Sequence, residues 1–389
     1  MSTALQLLLL GAAAPLLLLL LLRLLRPFVL LCCCDGLSHV PLPTLLRFSF
    51  VVRLQAVSLW LSGVSPGLPA IPTVEQLPGA VLRVLGGNPS RLTLNGTNVY
   101  VVGTGSRRLV IDASDGNDTF VKRLLHVCDC HDVHDVSDLL ITHGHLDHVG
   151  GLLQLKQRFP AMHVWKYLPV DGRRGDSDGD RRLRLKNDVC RRLGIRPLVD
   201  QQQFHVPGTC GGVLTTVYTP GHCNDHVCFV LDGVAALRAP VLFSGDCIVG
   251  VGSCLFDSLG DLMTSLEKLS ACEAATIYPG HGPVVYDAPL KIREYIAHRQ
   301  QREDQVLAVL TGHSDRLDGV SLSEIVDSIY ASLPFVLRLA AKKAVDKHVQ
   351  KLIADGRVQH IRPARWHQCA TYGLRRGTSD SEHGKGAGS

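Results

Sequence analysis

The sequence predicts a layered α/β (α+β) protein, sheets with helices outside them, on three observations. Short apolar runs recur between Gly- and Pro-containing turns. Stretches with helical spacing of apolar residues lie among them in both halves of the chain. The 389 residues suffice for a large core and show no evident internal repeat. Domains of roughly 100–200 residues suggest two domains after a leader, and one larger sandwich with an appendage fits equally well. The divisions are residues 1–75 as a hydrophobic leader, 76–287 as the main domain, 288–365 as a helical C-terminal domain and 366–389 as a disordered tail.

The leader is apolar from Leu5 to Leu22, broken only by Gln6, Gly11 and Pro15. Roughly 17–25 apolar residues cross a bilayer, so residues 5–22 suit a membrane anchor. Arg23 and Arg26 follow directly and would keep the rest of the chain on the cytosolic side. Arg47 and Arg53 extend a basic segment whose one acid before Glu75 is Asp35, a balance typical of mitochondrial presequences. A start site upstream of the true one is the third reading. A cleaved secretory signal fits less well, because the segment before the run lacks Lys and Arg.

Strands are expected at Ala80–Leu85, around Gly96–Val102, at Arg108–Asp112 and at Asp138–Thr142, with a helix near Phe120–His126. Later strands fall at His163–Tyr167, Gly212–Tyr218, His226–Leu231 and Val241–Ser244. Helices fall at Leu152–Arg158, Leu259–Ala271 and Ala288–Leu310. Asp171–Asn187 is dense in Arg, Asp and Gly, which marks an exposed loop or, functionally, a phosphate-contacting one.

The formal charge of +5 permits a polyanionic substrate without demanding one. The 13 cysteines are scattered through expected strands and helices and do not form a disulfide framework. Reduced thiols suit cytosol or mitochondrial matrix.

The 18 histidines are more informative. Thr142-His143-Gly144-His145-Leu146-Asp147-His148-Val149-Gly150-Gly151 directly follows the Asp138–Ile141 strand. Three imidazoles and a carboxylate thus leave a strand end into a glycine-flanked turn. Both are zinc ligands, and a hydrolytic site keeps positions open for water. Three further apolar runs end in Gly-containing turns with one strong donor each: His222, Asp246 and His281. A weaker cluster of His126, Cys128, Cys130, His131 and His134 has suitable donors, but its spacing matches no standard zinc site.

The order HxHxDH, then His, Asp and His, resembles the metallo-β-lactamase superfamily. The resemblance implies an αββα sandwich with two divalent ions, zinc foremost, at one edge. His143, His145 and His222 would hold one ion, Asp147, His148 and His281 the other, and Asp246 would bridge them. Val84–Pro89, Leu92–Tyr100, Leu242–Ile248 and Tyr295–Glu303 look like the β-lactamase-like protein 2 branch. Its animal member is a mitochondrial endoribonuclease acting on single-stranded RNA. The resemblance covers roughly residues 79–360.

Ser321-Leu322-Ser323-Glu324 offers a capping box before a helix Glu324–Ala331. A helix at Leu337–Ala354, a cap at Gly356 and a strand Val358–Ile361 follow. This looks like the small winged-helix-type domain of that branch, a nucleic-acid reader or else a packing or homodimer module. Lys342, Lys343, Lys347 and Lys351 give one helix a basic surface.

The sequence departs from the branch at three places. Gly144 and Leu146 stand where Trp and Arg are usual, which leaves the ligands intact but questions RNA specificity. Asp112-Ala113-Ser114 replaces Asp-Thr-Gly, and Cys223-Asn224-Asp225 replaces Thr-Asp-Asp.

The expected reaction is hydrolysis by metal-bound hydroxide, with Asp147 orienting the water and His226 contacting substrate. Arg299 and Arg302 are phosphate-contact candidates. The leading activity is endoribonuclease or phosphodiesterase. A glyoxalase-II-like thioesterase and an iron-dependent thiol dioxygenase share the ligand set. Imidazole and carboxylate serve zinc, iron and manganese alike.

Overall fold

Because successive side chains of a strand face opposite ways, a strand apolar on both faces has to be covered twice. The first strands are of this kind. The computed structural model describes residues 67–169, 185–331, 335–362 and 370–375. In it β1 (Val74–Leu77), β2 (Val81–Leu85), β3 (Asn98–Val102) and β4 (Arg107–Ile111) form an antiparallel meander. After α1 (Asp118–Cys130), β5 (Asp135–Ile141) pairs parallel to β4. Two helices, α2 (Leu146–Val149) and α3 (Leu152–Arg158), lead to β6 (His163–Tyr167). Helix α4 (Asn187–Arg192) precedes β7 (Arg196–Leu198), and both new strands add in parallel to give the order β1-β2-β3-β4-β5-β6-β7.

The second sheet follows in sequence. It contains β8 (Gln203–His205), β9 (Val213–Tyr218), β10 (Val227–Asp232) and β11 (Val241–Gly245), all antiparallel. Helix α5 (Leu259–Ser270) then crosses to β12 (Thr276–Pro279), which lies parallel to β11 and completes the order β12-β11-β10-β9-β8.

Period-two burial sorts the side chains. Val81, Tyr100, Val102 and Ile111 of the first sheet meet Phe229, Leu231, Phe243 and Tyr278 of the second. Their neighbours Leu82, Val84, Val99, Val101 and Val110 point the other way, under Phe120, Leu124 and Val127 of α1 and Leu152 and Leu155 of α3. Helix α1 starts where Asn117 accepts the Phe120 N–H at 2.9 Å. Leu262, Leu266 and Leu269 of α5 are buried outside the inter-sheet core. Helix, sheet, sheet and helix are therefore the layers, as expected.

The chain divides into two units, Met1–Asp257 with Asp261–Ile292, and Ser258–Gly260 with Arg293–Ser389. The C-terminal elements are α6 (Ala288–Gly312), β13 (Val320–Ser321), α7 (Leu322–Ile329), α8 (Phe335–Ala354), β14 (Val358–Arg362) and β15 (Thr371–Leu374). The small antiparallel sheet runs β13-β15-β14. Val306, Leu310, Ile325, Val326, Val345, Val349, Leu352 and Tyr372 form this unit's own core. The capping box is present: Ser321 Oγ accepts the Glu324 N–H, and Glu324 accepts the Ser321 N–H at 2.7 Å.

Strand β1 begins at Val74, inside the segment read as leader. The apolar run 5–22, most of the Arg-dense stretch and most of the expected tail lie outside the described residues. Among the described residues no helix is long and apolar enough to cross a membrane. No described cysteine forms a disulfide.

Candidate metal centre

The loops that leave β5, β9, β11 and β12 emerge from the C-terminal ends of their strands, and their polar side chains converge. His143 Nε2 lies 2.8 Å from His145 Nδ1, which lies 3.0 Å from His222 Nε2. Asp246 Oδ2 stands 3.8 Å from His143 Nε2 and 3.6 Å from His222 Nε2. These four residues form one group able to hold a metal ion, and Asp147, His148 and His281 form another. In the second group, His148 Nε2 and His281 Nε2 are 3.2 Å apart. Asp147 Oδ2 lies 3.5 Å from the former and 3.2 Å from the latter. Asp246 Oδ1 faces the same pair at 3.3 and 3.2 Å. Asp246 thus offers one oxygen to each group. Ligands about 2.0–2.1 Å from a tetrahedral zinc stand roughly 3.3 Å apart, and the observed separations bracket that spacing.

The proton positions follow from the partners behind the rings. His148 Nδ1 donates to Asp112 Oδ2 at 2.7 Å, which in the neutral ring leaves Nε2 a bare lone pair. His222 Nδ1 donates to the Leu255 carbonyl at 2.8 Å, with the same result. Asp112 also accepts the Thr142 N–H at 2.8 Å and the Thr142 hydroxyl, so Thr142 Oγ1 is left to accept from His143 Nδ1 at 3.0 Å. His143 and His222 therefore aim unprotonated nitrogens inward, and His148, which the surrounding carboxylates favour in its charged form, does so once a cation replaces its second proton. Lone pairs this close repel one another unless a cation lies between them, so the donor set fits a pair of divalent ions.

The electrostatics divide the two groups. Burial holds His143 well below the usual imidazole range, helped by the neighbouring His148 and His145. Burial also takes His222 down to about 3, against the pull of Asp246. In the other group burial would lower His281, but Asp246 and Asp147 outweigh it and raise the ring to about 9. Asp147, although buried, is drawn down to about 2 by His148 and His281. In the first group His143 and His222 are thus held neutral, and in the second the carboxylates favour the protonated His281 ring as long as no cation takes the proton's place.

His226 stands apart from this face. It is fully buried, its Nε2 accepts the Asp246 N–H at 3.1 Å, and its Nδ1 donates to Thr219 Oγ1 at 2.9 Å. Both ring nitrogens are engaged, so the geometry ties His226 to Asp246 rather than offering it to a substrate as expected. Sequence reasoning passed over Asp112, Asn98 and Tyr100. Asn98 Nδ2 donates to the carbonyls of Pro279 and Gly282, and the Tyr100 hydroxyl donates to Pro279, so both brace the turn carrying His281. Glycines are required at the tightest points. A Cβ at Gly280 would come within 2.6 Å of Asp246 Oδ1, and Gly245 adopts φ 48° with His226 Nε2 2.7 Å from where its Cβ would be.

The weaker Cys–His cluster does not assemble. Cys128 is buried on the inner face of α1, and Cys130 pairs with His126 on its exposed side. No group able to hold an ion includes them among the described residues. In the C-terminal unit, Arg299 is buried, and Arg302 donates to Gln305 Oε1 at 2.5 Å and lies over the Tyr330 ring.

The family model for the metallo-β-lactamase superfamily matches residues 92–281, and that for the β-lactamase-associated winged helix domain matches residues 321–366. The beta-lactamase-like protein 2 homolog of Caenorhabditis elegans is 35% identical over 77% of this chain and 94% of its own. Atrochrysone carboxyl ACP thioesterase AgnL7 of Paecilomyces divaricatus is 35% identical over 75% of this chain and 85% of its own. A beta-lactamase domain protein from Burkholderia ambifaria shares the fold, with a TM-score of 0.59 at 16% identity over 79% of this chain and 96% of its own. With a donor cage at the strand ends and relatives matched almost end to end, the chain belongs to the metallo-β-lactamase superfamily, in its lactamase-like branch, and is a metal-dependent hydrolase.

Proposed function

We propose that the chain cleaves phosphodiester bonds of single-stranded RNA with two divalent ions, zinc foremost. His143, His145 and His222 would hold one ion, Asp147, His148 and His281 the other, with Asp246 shared between them. The observation that carries the phosphodiester reading is the cationic cluster in the C-terminal unit. This unit matches the β-lactamase-associated winged helix domain, and Lys342 and Lys343 of α8 lie outside its buried core, a local charge suited to a polyanion.

When bound, the ions supply Lewis acidity and a water of lowered pKa. The chain's own groups do the rest. Asp246 keeps the two groups in register through its separate oxygens. Asp147, held ionised beside His281, would orient the water. His226 fixes the Asp246 backbone from behind. Asp112 keeps the His148 proton on Nδ1.

A thioester reading is favoured by one observation, the thioesterase named among relatives of equal identity. The test offers zinc-loaded protein labelled single-stranded RNA beside S-lactoylglutathione. Turnover of only the thioester refutes the nuclease reading. His145→Ala abolishes either activity, and retained turnover would mean a contaminant. The leader would place the protein in mitochondria, or on a membrane with its catalytic unit facing the cytosol. Imaging of the full-length chain with a C-terminal tag decides between them.

A further inference from the structure

A buried ion pair lies beside the first donor group, and none of the roles above uses it. Lys166 Nζ lies 2.5 Å from Asp225 Oδ2, with the two side chains 1% and 6% exposed. The same carboxylate oxygen accepts the N–H of Gly144 at 3.0 Å. Gly144 is the residue between His143 and His145. Its carbonyl accepts the Leu185 N–H at 2.8 Å, so both of its backbone groups are held. Lys166 is in register with Ile141 across β5 and β6, next to the strand end that launches His143. Asp225 belongs to the loop that carries His222. The carboxylate therefore ties one ligand loop to the other, and Lys166 holds the carboxylate.

As the pair stands, a side chain at 144 would have to push its ends aside. A Cβ there would meet Asp225 Oδ2 at 2.7 Å and Lys166 Cε at 3.1 Å. In this chain the Gly at 144, where Trp is usual in the branch, lets the pair reach the ligand backbone directly. Energetics argue for positioning over mere stability. A buried ion pair can often be exchanged for apolar residues of similar volume without loss of stability. An apolar pair, however, could not accept the Gly144 N–H.

The geometry points to Lys166 and Asp225 as a positioning pair that sets the mutual placement of His143, His145 and His222, and with it the metal affinity of that group. The inference rests on the ligand assignment proposed above. Partners behind the ligands typically govern metal affinity by 10–100-fold.

Cobalt(II) titration of the full chain against a competing chelator tests it, with thermal melting in parallel. The binding step of the first group is the one that His145→Ala removes. In Lys166→Met/Asp225→Leu that step weakens about 10–100-fold, its cobalt d–d spectrum changes, and the other step stays within about threefold. Melting of the metal-free protein stays near that of the unaltered chain. Asp225→Asn keeps an acceptor for the Gly144 N–H and restores most of the affinity. Unchanged affinity at both steps overturns the inference, whether or not melting shifts, and so does an equal loss at both. If the unaltered chain takes up no cobalt, the ligand assignment itself fails, and that result is distinct from the others.

Discussion

Asp112 offers the sharpest single test of how the second donor group is prepared. The residue is 1% exposed, and its carboxylate hydrogen-bonds to His148 Nδ1 at 2.7 Å and to the Thr142 N–H at 2.8 Å. Asp112→Asn changes little in shape, and the backbone φ of 62° is one that Asn tolerates as readily as Asp. The amide oxygen can still accept from Thr142, which turns the NH2 towards the His148 N–H. Two donors then face each other. The conflict is relieved only if the imidazole proton moves to Nε2, the atom aimed at His281 and Asp147. A hydrogen bond to a buried charged acceptor is worth about 1.5–3 kcal/mol. At roughly 1.4 kcal/mol per tenfold, that corresponds to about 10–100-fold in metal affinity, the range found for partners of ligating histidines. The assay is competition with a chromophoric chelator at neutral pH, with circular dichroism to confirm the fold. A folded variant with undiminished affinity would refute the reasoning, because His148 would then hold its tautomer without Asp112.

The metal-free protein should lose stability between about pH 6.5 and pH 9. His281 has its folded value raised to about 9, so its contribution is complete below the unfolded value near 6.5 and disappears as the pH climbs through 9. Urea unfolding at several pH values measures this, and His281→Gln should flatten the dependence. Gly280→Ala should lower both metal affinity and hydrolysis, because the added methyl would sit 2.6 Å from Asp246 Oδ1. Normal values for both would show that the turn yields. Phe120→Ala removes a fully buried ring under the first sheet and should cost about 3–5 kcal/mol in denaturant unfolding. Ser321→Ala deletes the hydroxyl that caps α7 and should destabilise the C-terminal unit by about 0.5–2 kcal/mol, read as earlier proteolysis there.

The donor residues were legible because each follows an apolar strand in a glycine turn, so composition and spacing carry the signal together. The apolar runs and helical spacing gave sheets with helices outside them, and the four-layer architecture came only with the family resemblance. The short β7, β8 and β13 escaped notice, since segments of 3, 3 and 2 residues are too brief for any period to register. Strand β1 was hidden by the apolar leader before it. The place of His226 could not be read from sequence, because its partner Asp246 is 20 residues away and meets it only when β10 and β11 pair. Asp112 sat at a strand end like the other donors, yet it reaches the cage through His148 rather than directly. The Lys166–Asp225 pair joins residues 59 apart, and nothing local marks a lysine in a strand as buried.

His148 and His281 meet across 133 residues of chain, one on α2 after β5 of the first sheet and the other on a loop of the second. Ions seated between them would act as a clasp on the sandwich. Neither half alone presents a complete binding set, so ion capture has to wait until the two sheets have closed on each other. A ligand that binds only the closed form adds about 4 kcal/mol at a thousand times its dissociation constant. Heat resistance would then track metal supply, and chelation would loosen the seam between the sheets before it disturbed either sheet.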